Sequence, residues 1–165
     1  MDRLISLFKQ RALPLVLSLC FALVSPAGAT AAGNDFAIVV HPGVPLDDLS
    51  LTQLRRILLG DQQFWSSDLR VTLLIRAPVT RERDVILRII YQMSEAQFRH
   101  YWIAKVFRAE VPLSPKIVYS NQMTTELVGS IAGSIAFVDA AQVPEGLKIL
   151  KIDGHLPGER GYPLR

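Results

Sequence analysis

The sequence predicts a single α/β domain in which a mostly parallel or mixed five-stranded sheet is covered by about four helices. Three observations predict it. Short β-branched runs alternate with longer segments of helical period from Asp35 onward. Their order, β-α-β-αα-β-α-β-β, puts helices between most strands and so calls for crossovers over the sheet faces. The chain has 165 residues, 20% of them charged, and one cysteine, which suits one globular domain and excludes both a disordered polymer and an intramolecular disulfide framework.

The first segment reads as a leader. Arg3, Lys9 and Arg11 precede an apolar run from Ala12 to Val24, too short for the roughly 20 residues that span a bilayer. Small residues follow, and cleavage is expected after Ala29 or Ala31. Residues 1–31 are therefore expected to be a secretory signal peptide and the protein to be periplasmic, with no stable membrane insertion after cleavage. Cys20 follows Leu17-Ser18-Leu19, too bulky for a lipoprotein signal, and would leave with the leader. Three of the 18 basic and one of the 15 acidic residues lie in this segment, so 15 against 14 remain, a net charge of +1. No basic run with interleaved aromatics is left, and no nucleic-acid partner is expected.

The expected strands are Phe36 to Val40, Val71 to Ile75, Lys116 to Tyr119, Ile135 to Val138 and Leu147 to Ile152. The first helix opens on the capping-box pattern Ser50-Leu51-Thr52-Gln53, buries Leu51, Leu54, Ile57 and Leu58, and stops at Gly60. A second helix is expected from near Thr80 to about Gln92, and a third from the capping box Ser94-Glu95-Ala96-Gln97 to about Arg108. A fourth is expected from about Gln122 to Ala132. Residues 32–153 then form the domain. Residues 154–165, with Pro157, Gly158, Gly161 and Pro163, are expected to be an irregular, mobile C-terminal tail.

Enzyme signatures are absent: there is no nucleophile elbow, P-loop or dinucleotide fingerprint, and His41, His100 and His155 have no metal-ligand spacing. Neither a cofactor nor a metal is expected. His41, beside Pro42-Gly43, reads as a turn residue. The aromatic stripe Phe98, Tyr101, Trp102, Val106 and Phe107 reads as core packing. The stretch from Val71 to Arg83 is the informative one, because there a strand ends, a short loop follows and a helix begins. Ligands of open α/β sheets favour that end of a strand. Arg76, Thr80 and Arg81 are the candidate anion-binding residues, with Arg83 adding charge nearby. The alternative is a solvated charged turn in which Glu82 and Asp84 complement the helix dipole and pair with the arginines.

Four ordered blocks carry a resemblance: Phe36-Ala-Ile-Val-Val-His-Pro-Gly-Val-Pro45; Leu49 to Gly60 followed by Phe64-Trp65; Phe98-Arg-His-Tyr-Trp102 with Phe107; and Val128 to Val138. Over about residues 36 to 153 the chain resembles the substrate-binding proteins of phosphate ABC transporters, which have the type II periplasmic-binding-protein (PBP) fold, and more closely the short exported members with one PBP-like domain. The resemblance implies a single PBP-like lobe that binds a small oxyanion such as phosphate. It sets Arg76 on the family's anion-binding Arg and Thr80 on its Ser. Arg81 stands where the family has Gly, and Glu82 where it has Thr. The block Gly133-Ser134-Ile135-Ala136-Phe137 looks like packing. A single lobe cannot close around a solute, so the resemblance implies either weak binding completed by a homodimer or an envelope protein partner, or an interaction module that has lost the anion.

Overall fold

The computed structural model describes residues 35–165; the expected leader lies outside the described residues. A six-stranded mixed sheet runs in the order β2-β6-β1-β5-β3-β4. The strands are β1 (Phe36–Val40), β2 (Asp48–Leu49), β3 (Thr72–Arg76), β4 (Lys116–Val118), β5 (Ser134–Asp139) and β6 (Lys148–Ile152). The sixth strand is the two-residue β2, parallel to β6 at one edge, too short to leave an alternating pattern in the sequence. β3 runs parallel to β4 and β5, whereas β1 is antiparallel to both β5 and β6.

Every residue of β1 is buried, and its alternation divides the core in two. Phe36, Ile38 and Val40 face α1 (Leu51–Leu58), α2 (Arg81–Ile86) and α3 (Glu95–Phe107), while Ala37 and Val39 pack with Val128 of α4 (Asn121–Ser130). Helices therefore cover both faces of the sheet.

Local chemistry sets the helix ends. Ser50 and Ser94 close capping boxes with Gln53 and Gln97, satisfying N-terminal donors of α1 and α3. Helix α2 widens into a π turn over Leu87–Tyr91, and Gln92 stops it in the left-handed region at φ 54°. At the other end of α1 the unpaired carbonyls receive side chains from elsewhere. The Tyr91 hydroxyl donates to Leu58 O at 2.8 Å, and the Tyr101 hydroxyl and Lys105 Nζ donate to Leu59 O at 2.8 and 3.0 Å. Burial works to lower the Lys105 pKa, but its hydrogen bonds to Asp61 and Tyr101 outweigh this and leave it raised. Gly60 ends the helix at φ 74°, where an added Cβ would stand 2.9 Å from the Trp102 ring.

The C-terminal tail corrects an expectation. Expected to be irregular and mobile, it packs against the core. Tyr162 and Leu164 belong to the main core, Phe36 N donates to Leu164 O at 2.9 Å, and the Tyr162 hydroxyl donates to Phe36 O at 2.6 Å. Arg165 pairs with Asp35, whose other carboxylate oxygen accepts from Gly158 N. The segment is thus tied to the start of β1, whose backbone groups would otherwise be buried without partners.

Burial raises the pKa of both Tyr91 and Tyr162 above their ordinary value of 10. A raised folded-state pKa gives stability that is complete below the unfolded pKa and is lost as pH climbs toward the folded one, because the unfolded chain then binds fewer protons. Thermal melts from pH 7 to 11 are expected to hold steady up to about pH 9 and then fall. Tyr162→Phe should cost about 1–2 kcal/mol at pH 7 by unpairing Phe36 O, and should show a shallower alkaline decline than wild type.

Candidate functional site

Strands β3, β4 and β5 end on the same side of the sheet, where antiparallel β1 begins. The candidate residues Arg76, Thr80 and Arg81 stand here, on the last residue of β3, the N-cap of α2 and its first turn. The loop between them is strained: Val79, 94% exposed, holds φ 68°, a left-handed conformation costly for a β-branched residue.

The three residues share one end of the sheet but sit in different surroundings. The Arg76 side chain is 10% exposed, with Nε 3.8 Å from Glu82 Oε1, and its Nε and Nη1 are buried without a hydrogen-bond acceptor. The Thr80 hydroxyl is used in both its roles. It accepts from Arg83 N at 3.3 Å, capping the helix, and donates to Ala77 O at 3.0 Å. Arg81 lies over the Phe36 ring at 4.9 Å, with Nη1 3.9 Å from Asp139 Oδ2. Asp139 ends β5 and accepts from Ala141 N. Sequence spacing gave no signal for it, since it enters the site only through the pairing of β5 with β1 and β3.

Arg83 does not add charge to this site. It points into the core, 2% exposed, with Nε and Nη2 donating to the two oxygens of Glu95 at 2.9 and 3.0 Å and its guanidinium 4.1 Å from the Phe98 ring centroid. This bidentate pair joins α2 to α3. The aromatic stripe of α3 is corrected in part as well. Phe98 and Trp102 are buried, but Val106 and Phe107 are 38% and 91% exposed. Thirteen helical residues carry apolar side chains on two faces, and one core can cover only one of them.

The remaining motif residues act in structure. His41 Nδ1 accepts from Gly43 N at 3.0 Å, the turn role expected of it. Gly133 holds φ 71° with the Arg70 carbonyl where a Cβ would stand, and its own carbonyl accepts from Trp65 Nε1 at 2.8 Å. The aromatic-Trp pair after α1 and the glycine before β5 thus form one contact. Among the described residues no group of three His, Cys, Asp or Glu side chains could hold a metal ion, and no helix is long and apolar enough to cross a membrane.

Three solved structures share this architecture. One, from Clostridium perfringens, is described as a phosphate ABC transporter substrate-binding protein and carries bound phosphate; it superposes with a TM-score of 0.60 at 19% identity over 75% of this chain and 47% of its own. The chain shares the PBP fold. An ABC-type phosphate transport receptor from Vibrio cholerae and PstS from Borrelia burgdorferi match equally well, each at 18% identity and TM-score 0.60, over 48% and 49% of their own lengths. The PBP-like chain thus spans about half the length of the solved structures it matches. No protein-family model matches it, and no curated protein matches it in sequence.

The Arg83–Glu95 pair joins α2 to α3, and its Arg83 side is buried while Glu95 is partly exposed. Glu95→Gln is expected to lower stability by about 2 kcal/mol in chemical denaturation, through weakened charge-assisted hydrogen bonds to a buried guanidinium. Asp84→Asn, an exposed carboxylate one residue further along α2, should change it by less than about 0.5 kcal/mol.

Proposed function

We propose that the protein is an exported, non-enzymatic, solute-binding-like component related to phosphate-binding proteins, and that it holds a small oxyanion such as phosphate weakly at Arg76, with Thr80 and Arg81 flanking. The observation that carries this reading is the Arg76 guanidinium. It is nearly buried at the carboxyl end of β3 and keeps two nitrogens without acceptors. Buried donors are almost always satisfied, and a guanidinium fork fits an oxyanion's geometry.

The neighbourhood argues for weak binding. Glu82 brings a carboxylate toward the same nitrogen, Arg81 puts a side chain where the family has glycine, and the Thr80 hydroxyl is already engaged. One lobe also leaves a bound anion facing water on one side, unless a second copy or an envelope partner closes it. A dissociation constant near millimolar, about 4 kcal/mol of binding, is consistent with these terms. The second reading, an interaction or sensing module that has lost the anion, draws on the same features: Arg81 leaning toward Asp139 and Glu82 toward Arg76 make this end internally charge-balanced.

Calorimetric titration of the domain with phosphate and sulfate is expected to show saturable, millimolar binding. Arg76→Gln should abolish it, and Glu82→Gln should strengthen it several-fold. Heats of dilution alone for both anions, in wild type and in Glu82→Gln, would leave the interaction module as the standing reading. For export, the intact mass of protein recovered from a periplasmic extract is expected to correspond to a chain beginning at Thr30 or Ala32. Recovery of the full-length mass would contradict it.

A further inference from the structure

Beside the β3–α2 loop, whose Ile75 and Pro78 line one end of it, an open groove of about 430 Å³ runs between α3 and the edge strand β4, within the roughly 300–1,000 Å³ of small-molecule sites. Phe98 and Trp102 form its floor, Ile103 and Phe107 one rim and Ile117 the other. The rims are unusually exposed for their type: Phe107 is 91%, Ile103 66% and Ile117 49% exposed. These are the apolar side chains of α3 and β4 that the core does not cover.

A second observation is independent of the apolar surface. Two residues lining the groove are nearly fully buried yet carry donors with no acceptor: Arg83, whose Nη1 is the one nitrogen not engaged by Glu95, and Trp102, whose Nε1 is also unpaired. An unsatisfied buried donor costs about 1–3 kcal/mol, and both of these belong to side chains that line the groove. Charge narrows the nature of a ligand there. The ionised groups lining the groove are Arg83, Arg99 and Glu95, two positive and one negative, so one unit of positive charge is left for a monoanion.

We propose that this groove binds a small amphipathic acid. Its apolar chain or ring packs on Phe98, Ile103 and Ile117, and its carboxylate accepts from Arg83 Nη1, with Trp102 Nε1 as the second available donor. Inorganic phosphate does not suit the site, because the walls are apolar and a doubly charged ion would be desolvated against them without enough donors. The inference does not depend on the anion site at Arg76.

The test is calorimetric titration with decanoate and decanol below their micelle or solubility limits, with tryptophan emission followed in parallel. Decanoate is expected to bind one per chain with a shift in emission, and decanol at least tenfold more weakly. Ile103→Asp alters an exposed position that should leave the melting temperature unchanged, and is expected to weaken decanoate at least tenfold. Arg83→Gln, if it folds, should bind acid and alcohol alike; if it does not fold, the comparison of acid with alcohol in wild type carries the same information. Four results would each overturn the proposal: no saturable decanoate binding, equal affinity for acid and alcohol in wild type, displacement of decanoate by phosphate, or indifference to Ile103→Asp. Sedimentation showing a dimer that Phe107→Asp dissociates, without a decanoate effect, would assign the groove to a second copy instead.

Discussion

Strand β1 is buried on both faces and hydrogen-bonded along both edges, and the rest of the structure depends on that constraint. A strand so placed has no water to satisfy its backbone, so every donor and acceptor needs a protein partner. β5 and β6 supply them along its length, and the tail supplies them at its start through Leu164 O and the Tyr162 hydroxyl. Burial on both faces in turn requires helices on both sides, which the crossovers provide. Because β1 is antiparallel to β5, it begins where β3, β4 and β5 end. Phe36, the first residue of the organising strand, therefore lies beneath Arg81 at the candidate site.

Three arginines within eight positions meet three different fates there, and helical geometry separates them. Arg76 still belongs to a strand and stands at its carboxyl end. Arg81 opens α2 and reaches across the sheet toward Asp139. Arg83, two residues further on, faces inward. Burying a guanidinium costs several kcal/mol unless it is well paired. Arg83 has a bidentate carboxylate and an aromatic face, while Arg76 has one carboxylate at 3.8 Å and no hydrogen bond. The less well satisfied of the two is the one placed at the end of the sheet where ligands of this fold class bind.

What the sequence made legible follows from the range of each interaction. Capping boxes at Ser50 and Ser94 are local and were readable to the residue, as was the turn at His41. The five longer strands and four helices followed from periodicity. The pairing of β1 with β5 and β6 did not, because antiparallel neighbours so far apart in the chain leave no mark on a single sequence. The tail was misjudged for the same reason: Pro and Gly describe its backbone correctly, but its order comes from β1, over a hundred residues away. In α3 the apolar stripe was visible and its division was not. Which of Phe98, Trp102, Val106 and Phe107 lie in the core depends on how α2 leans on α3, where Arg83, read from sequence as charge near the anion site, pairs with Glu95, read only as part of a capping box.

The shared origin of these errors bears on function. An anion at the end of β3 that is contacted by this lobe alone stays in contact with water, where each ionic contact is strongly screened. The groove on α3 faces no such limit. Its floor, both rims and both orphan donors come from one continuous lobe, and its apolar walls are displayed without a second domain. Affinity there would come from apolar area removed from water, at roughly 25 cal/mol per Å², a term that salt does not screen. A site whose apolar walls all come from one lobe gains that term without a contribution from a second.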